Sequence, residues 1–143
     1  MEKIRDVLKS KGGSLISIEP SDTVYNALVL MVEKNIGALL VLDRDGNLAG
    51  LITERNYARK VVLKGKSSKD TLVKEIMIEH PVTASIEDDV QRCMKIMTDK
   101  FIRYLPVMDG EKLVGLISMG DVIKYISKEQ ELTIETLEHY ITG

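Results

Sequence analysis

Two short segments of the chain place a hydroxyl residue where an apolar strand is predicted to give way to a helix. Thr53 and Ser118 each follow the sequence Gly-Leu-Ile. A hydroxyl at such a junction can cap the helix, and it also lies beside free backbone N–H groups at the positive end of the helix dipole. Because this environment suits a phosphate group, both junctions are candidate anion sites as well as ordinary helix caps.

An acidic and a basic residue accompany the junction at Ser118. Asp121, three residues later, can accept hydrogen bonds from both hydroxyls of a ribose, as the ribose-binding acid of dinucleotide folds does. Arg103 precedes the predicted strand 105–108 and can donate a bidentate contact to a phosphate from the neighbouring rim. Each has a plainer role as well, because Asp121 can favour the helix N-terminus electrostatically and Arg103 can be a solvated surface charge.

The elements that would position these residues occur twice. Residues 16–43 align with residues 82–109 at a shift of 66, and residues 48–52 align with 113–117 once one turn residue is dropped. A period this long, repeated only once, is typical of a pseudo-symmetric pair of small α/β units rather than of a solenoid. Two such units must bury their apolar faces on each other, so we expect two equivalent clefts at the seam.

Apolar periodicity and turn residues predict the same element order in each unit: strand, helix, strand, strand, helix. A short amphipathic helix near residues 4–8 precedes the first unit. The predicted strands are 15–18, 38–42, 48–52, 82–83, 105–108 and 113–117, and the predicted helices are 23–35, 53–63, 87–100 and 120–126.

This order predicts an α/β (α+β two-layer) fold, with two pseudo-symmetric units packed sheet to sheet. The predicted domains are residues 1–66, which include the N-terminal helix, and residues 67–126. Residues 127–143 form a predicted C-terminal amphipathic helix whose apolar face is expected to contact a second subunit.

The chain resembles a CBS-domain pair (a Bateman module) over nearly its whole length. The segments that carry the resemblance are SIEPSDTVYNAL, IGALLVLDRDGNLAGLITERN and RYLPVMDGEKLVGLISMGDVIKYI. The ending EQELTIETLEHYITG is similar to the tail of the small stand-alone members, rather than to modules embedded in IMP dehydrogenase or chloride channels. Such modules commonly bind adenosyl compounds, namely AMP, ADP, ATP and sometimes NAD(H) or S-adenosylmethionine.

The resemblance implies that Ser118 binds phosphate and that Asp121 binds the ribose diol. Thr53 matches the hydroxyl in the first unit, but Asn56 stands at the acid position and lacks the charge that strengthens such hydrogen bonds. The Asp121 cleft is therefore expected to be the better ribose site. The implied nucleotide-binding residues are Ser118, Asp121, Arg103, Tyr104, Met119, Gly120, Thr83, Ala84, Thr53, Arg55, Asn56, Ser17 and Ile18.

The remaining implied roles are less specific. Tyr104 stands where relatives often have His and is expected to stack on a base, and the backbone at 17–18 and 83–84 lies where relatives hold the adenine edge. Arg55 either reaches a phosphate or is an exposed helix charge.

Composition limits the other classes of function. A net charge of -2 without a Lys/Arg block gives no footprint for nucleic acid or an anionic membrane, and no apolar window approaches a membrane span. The single cysteine cannot form an intramolecular disulfide, so we expect a cytoplasmic protein. His80 and His139 lack partners at metal-ligand spacing, and no catalytic set is visible, so we expect neither a metal site nor an enzyme.

We therefore expect a non-catalytic regulatory module that requires no cofactor and forms a homodimer. It would bind an adenine nucleotide between its units and act on an unidentified protein partner through a conformational change. The alternative is a ligand-free dimerisation or scaffold module that regulates a partner enzyme in trans. Nucleotide hydrolysis is the weakest hypothesis, because the sequence shows neither a base nor a metal site.

Overall fold

The computed structural model of the chain describes residues 2–142, and it describes side chains for residues 2–139. Its helices and strands follow the predicted order, with additional short elements between the two repeats. They are α1 (Ile4–Lys11), β1 (Ser17–Ile18), α2 (Val24–Lys34), β2 (Ala38–Leu42), β3 (Leu48–Thr53), α3 (Glu54–Tyr57), a π-helical turn (Ala58–Val62), α4 (Val73–Ile76), β4 (Ile78–Glu79), β5 (Ala84–Ser85), α5 (Val90–Asp99), β6 (Tyr104–Asp109), β7 (Lys112–Ser118) and α6 (Met119–Thr142).

Two sheets carry the repeat. The sheet of the first unit has the order β1-β2-β3-β4, and the sheet of the second unit has the order β5-β6-β7. In each, the first strand pairs parallel to the second, and the second pairs antiparallel to the third. The hairpin turns contain Gly46 and Gly110 at positive φ, 82° and 61°, where a side chain would be strained.

Neighbouring residues of β2 pack on opposite sides of its sheet. Leu39 and Val41 belong to the core that the first unit forms with its helices, whereas Ala38 and Leu40 belong to a cluster shared with the second unit. Because successive strand residues alternate between faces, a strand buried on both sides is apolar at every position. This explains the unbroken apolar run 38–42.

The shared cluster is the seam between the two sheets. Ala38, Leu40 and Leu51 of the first unit pack there with Leu113 of the second, and Leu116 joins them at the edge. The predicted sheet-to-sheet packing of two α/β units is therefore confirmed.

The helices that begin the two halves are exchanged between the units. Ile4 and Val7 of α1 lie in the core of the second unit, and Val73 and Ile76 of α4 lie in the core of the first. Backbone hydrogen bonds fix the exchange, since the Ile4 N–H donates to the Asp88 carbonyl at 2.9 Å and the Val73 N–H donates to the Asp22 carbonyl at 2.8 Å. The packing thus crosses the predicted division at residue 66, which had assigned the N-terminal helix to the first unit.

Several predicted elements differ from the structure in extent. The first strand of the second unit is β5, two residues after the predicted 82–83, and the helix predicted over 53–63 continues beyond α3 as a π-helical turn. The helices predicted at 120–126 and 127–143 are joined in one continuous helix, α6, because no glycine or proline separates them at their boundary. Its apolar residues Leu132, Ile134 and Leu137 are more than half exposed in the single chain, and their contact with a second subunit stays a prediction.

Candidate functional site

Two clefts of similar size open at the seam and share Gly37 and Tyr104 in their linings. The Asp121 cleft, about 450 Å³, is lined by Ser118 and Asp121, by the end of α1, and by residues 14–16 and 35–38. The Thr53 cleft, about 470 Å³, is lined by Thr53 and Arg55, by residues 80–82 and by residues 101–104. The clefts occupy equivalent positions in the two halves, as the repeat predicted.

Ser118 and Asp121 are bound to each other at the junction of β7 and α6. The Ser118 N–H donates to Asp121 Oδ2 at 2.9 Å, and the Asp121 N–H donates to Ser118 Oγ at 3.0 Å. This reciprocal pair is a capping box. The plainer role predicted for both residues is therefore present in the fold, and it also fixes the carboxylate at the wall of the cleft.

Lys11, at the end of α1, reaches the same carboxylate. Its Nζ lies 2.8 Å from Asp121 Oδ2 and donates a hydrogen bond to the Leu116 carbonyl at 2.7 Å. Burial raises the pKa of the Asp121 carboxyl, but the hydrogen bonds from Lys11 and from the Ser118 N–H outweigh it and hold the pKa below its usual 3.8. Asp121 is consequently ionised at neutral pH.

The variant Lys11→Met is expected to be less stable than the wild type at neutral pH, by about 1 kcal/mol or less because both side chains of the pair are partly exposed. An acid whose pKa is lowered by folding adds stability above its unfolded pKa, and that stability is lost as the pH falls through its folded pKa. The wild-type advantage should therefore shrink below pH 3.8. Urea unfolding of both proteins at neutral and acidic pH measures it, and an advantage that persists undiminished in acid contradicts the assignment.

The Thr53 junction forms the same kind of capping box, with Asn56 in place of the acid and one further hydrogen bond. Thr53 Oγ1 donates to Asn56 Oδ1 at 2.7 Å, and the Asn56 N–H donates to Thr53 Oγ1 at 3.1 Å. Asn56 Oδ1 also accepts from the Thr53 N–H at 3.2 Å. Thr53 lines the cleft, whereas Asn56 is outside the lining and its carbonyl is used within the cap.

Two arginines lie at the Thr53 cleft. Arg103 lines this cleft and not the Asp121 cleft, although its backbone carbonyl accepts the Met119 N–H at 2.8 Å. The Arg103 side chain thus lies at the Thr53 cleft in this structure, and its contact with a phosphate at Ser118 stays a prediction. Arg55 donates from Nη1 to the Phe101 carbonyl at 3.1 Å, so it is anchored at the rim of the same cleft.

Tyr104 lines both clefts and is their shared wall. Its hydroxyl lies over Gly37, where a Cβ atom would collide with it, so a larger residue at this position would require Tyr104 to move. Burial, with smaller contributions from the charges of Glu54 and Asp121, raises the pKa of Tyr104 above its usual 10.0. The neutral phenol at neutral pH can donate a hydrogen bond into either cleft.

The other predicted site residues lie next to the clefts rather than in their walls. Ile18 and Ala84 are buried in the unit cores, and the walls are formed by the preceding residues 14–16 and 80–82. Met119 packs against the core of the second unit, and a Cβ atom at Gly120 would lie 3.6 Å from Ser118 Oγ. The predicted residues outside both cleft linings are Ser17, Ile18, Thr83, Ala84, Met119, Gly120 and Asn56.

Sequence reasoning missed the contribution of α1 to the Asp121 cleft. Leu8, Lys9, Lys11 and the turn 12–13 line it. The repeat contains no direct indication of this, because α1 reaches the cleft only by packing on the second unit. Among the described residues, no three His, Cys, Asp or Glu side chains are grouped as metal ligands. In the same part of the chain no helix has the length and hydropathy needed to cross a bilayer.

Comparison with known proteins gives a consistent match. A family model described as CBS domain matches residues 4–63 and 73–128. A mitochondrial CBS domain-containing protein of Arabidopsis thaliana is 41% identical over 148 residues, which is 98% of this chain and 72% of that protein. The chain spans 72%, 57% and 33% of the lengths of three curated relatives, so several of them are longer.

Solved structures agree in fold. A protein with CBS domains from Burkholderia ambifaria MC40-6 superposes with a TM-score of 0.82 at 46% identity, covering 89% of this chain and 93% of that one. A hexameric CBS-CP12 protein from bloom-forming cyanobacteria superposes with a TM-score of 0.76 at 29% identity, covering 86% and 70%.

Proposed function

The chain belongs to the CBS-domain family, as the sequence resemblance predicted, and on this premise we propose that it is a non-catalytic regulatory module that binds an adenine nucleotide at its seam. CBS-domain proteins are generally regulatory modules, and they commonly oligomerise. The ligand we propose is AMP, ADP or ATP, with NAD(H) and S-adenosylmethionine as further candidates that share the adenosyl group.

One observation carries the proposal: an ionised carboxylate and a helix-capping hydroxyl stand together in the wall of an open cleft between the units. The carboxylate of Asp121 can accept hydrogen bonds from a ribose diol, and Ser118 stands at a helix N-terminus that favours a phosphate. The cleft also has apolar walls at Leu15 and Ile36, which suit a planar base.

The Thr53 cleft is proposed as the weaker ribose site. It offers Arg55 and Arg103 to an anion, but Asn56 holds no charge and is occupied in the cap. A ligand that bridges the units at either cleft favours the arrangement of the units that it binds more tightly, and this shift is the proposed regulatory output.

A second candidate function is a ligand-free scaffold module that regulates a partner enzyme in trans. It is supported by the internal pairing of the Asp121 carboxylate, which already has Ser118 and Lys11 as partners. The exposed apolar residues of α6, Leu132 and Leu137, are proposed as a homodimer contact in either case. We propose a cytoplasmic location, whereas the Arabidopsis relative is named as mitochondrial.

Isothermal titration of the purified chain with AMP, ADP, ATP, NADH and S-adenosylmethionine tests the proposal. At least one ligand should bind saturably, and at about 100 times its Kd it should stabilise the fold by roughly 2.7 kcal/mol, a Tm rise of about 5–10 °C. Product analysis of the ATP sample should show no hydrolysis, and sedimentation of the same samples should show a dimer. Absence of binding by all five ligands favours the scaffold function.

A further inference from the structure

The Asp121 cleft contains two lysines that the repeat does not account for. Among the described residues that line it, the charged side chains are Lys9 and Lys11 from α1 and Asp121 from α6. Lys11 Nζ lies 2.8 Å from Asp121 Oδ2, and that oxygen accepts from the Ser118 N–H at 2.9 Å. The Lys11 ammonium and the Ser118 N–H therefore contact the same carboxylate oxygen, and Ser118 is the residue proposed to bind the phosphate.

A difference in length between two equivalent helices places Lys11 in the Asp121 cleft. α1 and α4 start from equivalent hydrogen bonds, to the carbonyls of Asp88 and Asp22, but α1 has eight residues and α4 has four. The additional turn of α1 ends at Lys11, immediately before two glycines at positive φ. α4 adds no basic side chain to the lining of the Thr53 cleft, whose cations are instead Arg55 and Arg103.

The Lys11 ammonium contacts Oδ2 of the carboxylate that a ribose diol would use. A diol that binds both carboxylate oxygens competes with the ammonium for Oδ2, and an uncharged nucleoside offers that ammonium nothing in return. A phosphorylated ligand offers its phosphate, which Lys11 can reach because its charge sits on a flexible four-carbon stem. Lys9 is the other cation in the lining of the cleft. Because the charges of Lys11 and Asp121 cancel, Lys9 gives the lining a net positive charge.

We propose that Lys11 is a specificity-determining residue of the Asp121 cleft, which exchanges Asp121 for the ligand's phosphate and so selects nucleotides over nucleosides. The inference rests on the proposed function, because it assigns a role to Lys11 in that same site. This role differs from that of a latch, by which we mean an ion pair that only blocks Asp121. A latch would weaken the binding of every ligand equally, whereas a cation that contacts the phosphate favours the charged ligand.

Titration of wild type and Lys11→Met with AMP and with adenosine tests the inference. The wild type should prefer AMP by at least about tenfold, and Lys11→Met should lose about tenfold in AMP affinity while adenosine affinity stays equal or rises. Lys95→Met is the matched control, because it removes the same charge from an exposed ion pair with Asp99 on α5. This control should keep the wild-type preference, and thermal unfolding of both variants verifies that they are folded during the titration.

Two outcomes overturn the inference while leaving the proposed function standing. In the first, AMP and adenosine gain affinity by the same factor in Lys11→Met, which indicates a latch. In the second, neither affinity changes, which indicates that the ammonium is no part of the site. Failure of the wild type to bind AMP or any other adenosyl ligand removes the proposed function itself, so the two failures are distinguishable.

Discussion

Replacing Asp121 with asparagine is expected to weaken AMP binding on the order of 10- to 100-fold while the fold stays intact. The carboxylate would accept two hydrogen bonds from the ribose diol, and each is stronger by roughly 1 kcal/mol when its acceptor is charged. The chain itself shows that asparagine closes the same capping box, because Asn56 does so with Thr53. Loss of affinity in Asp121→Asn therefore reports on the charge and not on a broken helix end.

A ligand lacking one diol hydroxyl makes this experiment specific. The wild type should bind 2′-deoxy-AMP about tenfold more weakly than AMP. Asp121→Asn should show a clearly smaller preference, because an amide oxygen accepts a weaker hydrogen bond than a carboxylate does. Asp99→Asn is the control, since Asp99 pairs with Lys95 on the exposed face of α5, and it should behave as the wild type. If Asp121→Asn lost affinity but kept the full preference for AMP over 2′-deoxy-AMP, Asp121 would not be the diol partner.

The sequence predicted those parts of the fold that local pattern controls. The apolar run 38–42 is short and buried on both faces, and its strand was predicted with the correct bounds. The repeat then predicted two clefts, because two equivalent strand-to-helix junctions at the seam must each have a cleft beside them. The pairing of Ser118 with Asp121 also follows from local spacing, since a hydroxyl and an acid three residues apart form a capping box.

The sequence could not predict which unit a short segment packs against. α4 and β4 have four and two residues, which is too short for a periodic pattern, so neither element was predicted. The exchange of α1 and α4 is set by long-range hydrogen bonds to Asp88 and Asp22. Because Lys11 reaches Asp121 through this exchange, its place in the cleft depends on contacts between residues that are far apart in sequence.

The position of Arg103 shows the same limit at a single residue. It immediately precedes β6, its carbonyl accepts the Met119 N–H beside one junction, and its side chain lines the Thr53 cleft. Which cleft such a residue lines depends on how the two units pack, and local sequence does not contain that information. Tyr104, the next residue, lines both clefts.

Truncating Leu40 to alanine is expected to lower the stability of the whole chain by about 2–5 kcal/mol. Leu40 is 0% exposed and lies in the seam cluster rather than in either unit's own core. Neither sheet can leave the seam without exposing apolar residues of its inner face, so the two units should unfold in one cooperative transition. Since domains of this size are stable by only about 5–15 kcal/mol, the loss is large enough to measure by urea unfolding.

Two matched variants test why Leu40→Ala lowers the stability of the chain. Leu39→Ala removes the same side chain from the opposite face of β2, where it is equally buried in the first unit's core, and it should lower the same single transition. Val32→Ala, at a side chain that is 81% exposed on α2, should change stability by about 0.5 kcal/mol or less. Amide hydrogen exchange in β6 of the second unit should accelerate in both leucine variants, although both lie in the first. Two separate transitions, with β6 protection unchanged in Leu40→Ala, would show instead that each unit folds independently and that the seam contributes little to stability.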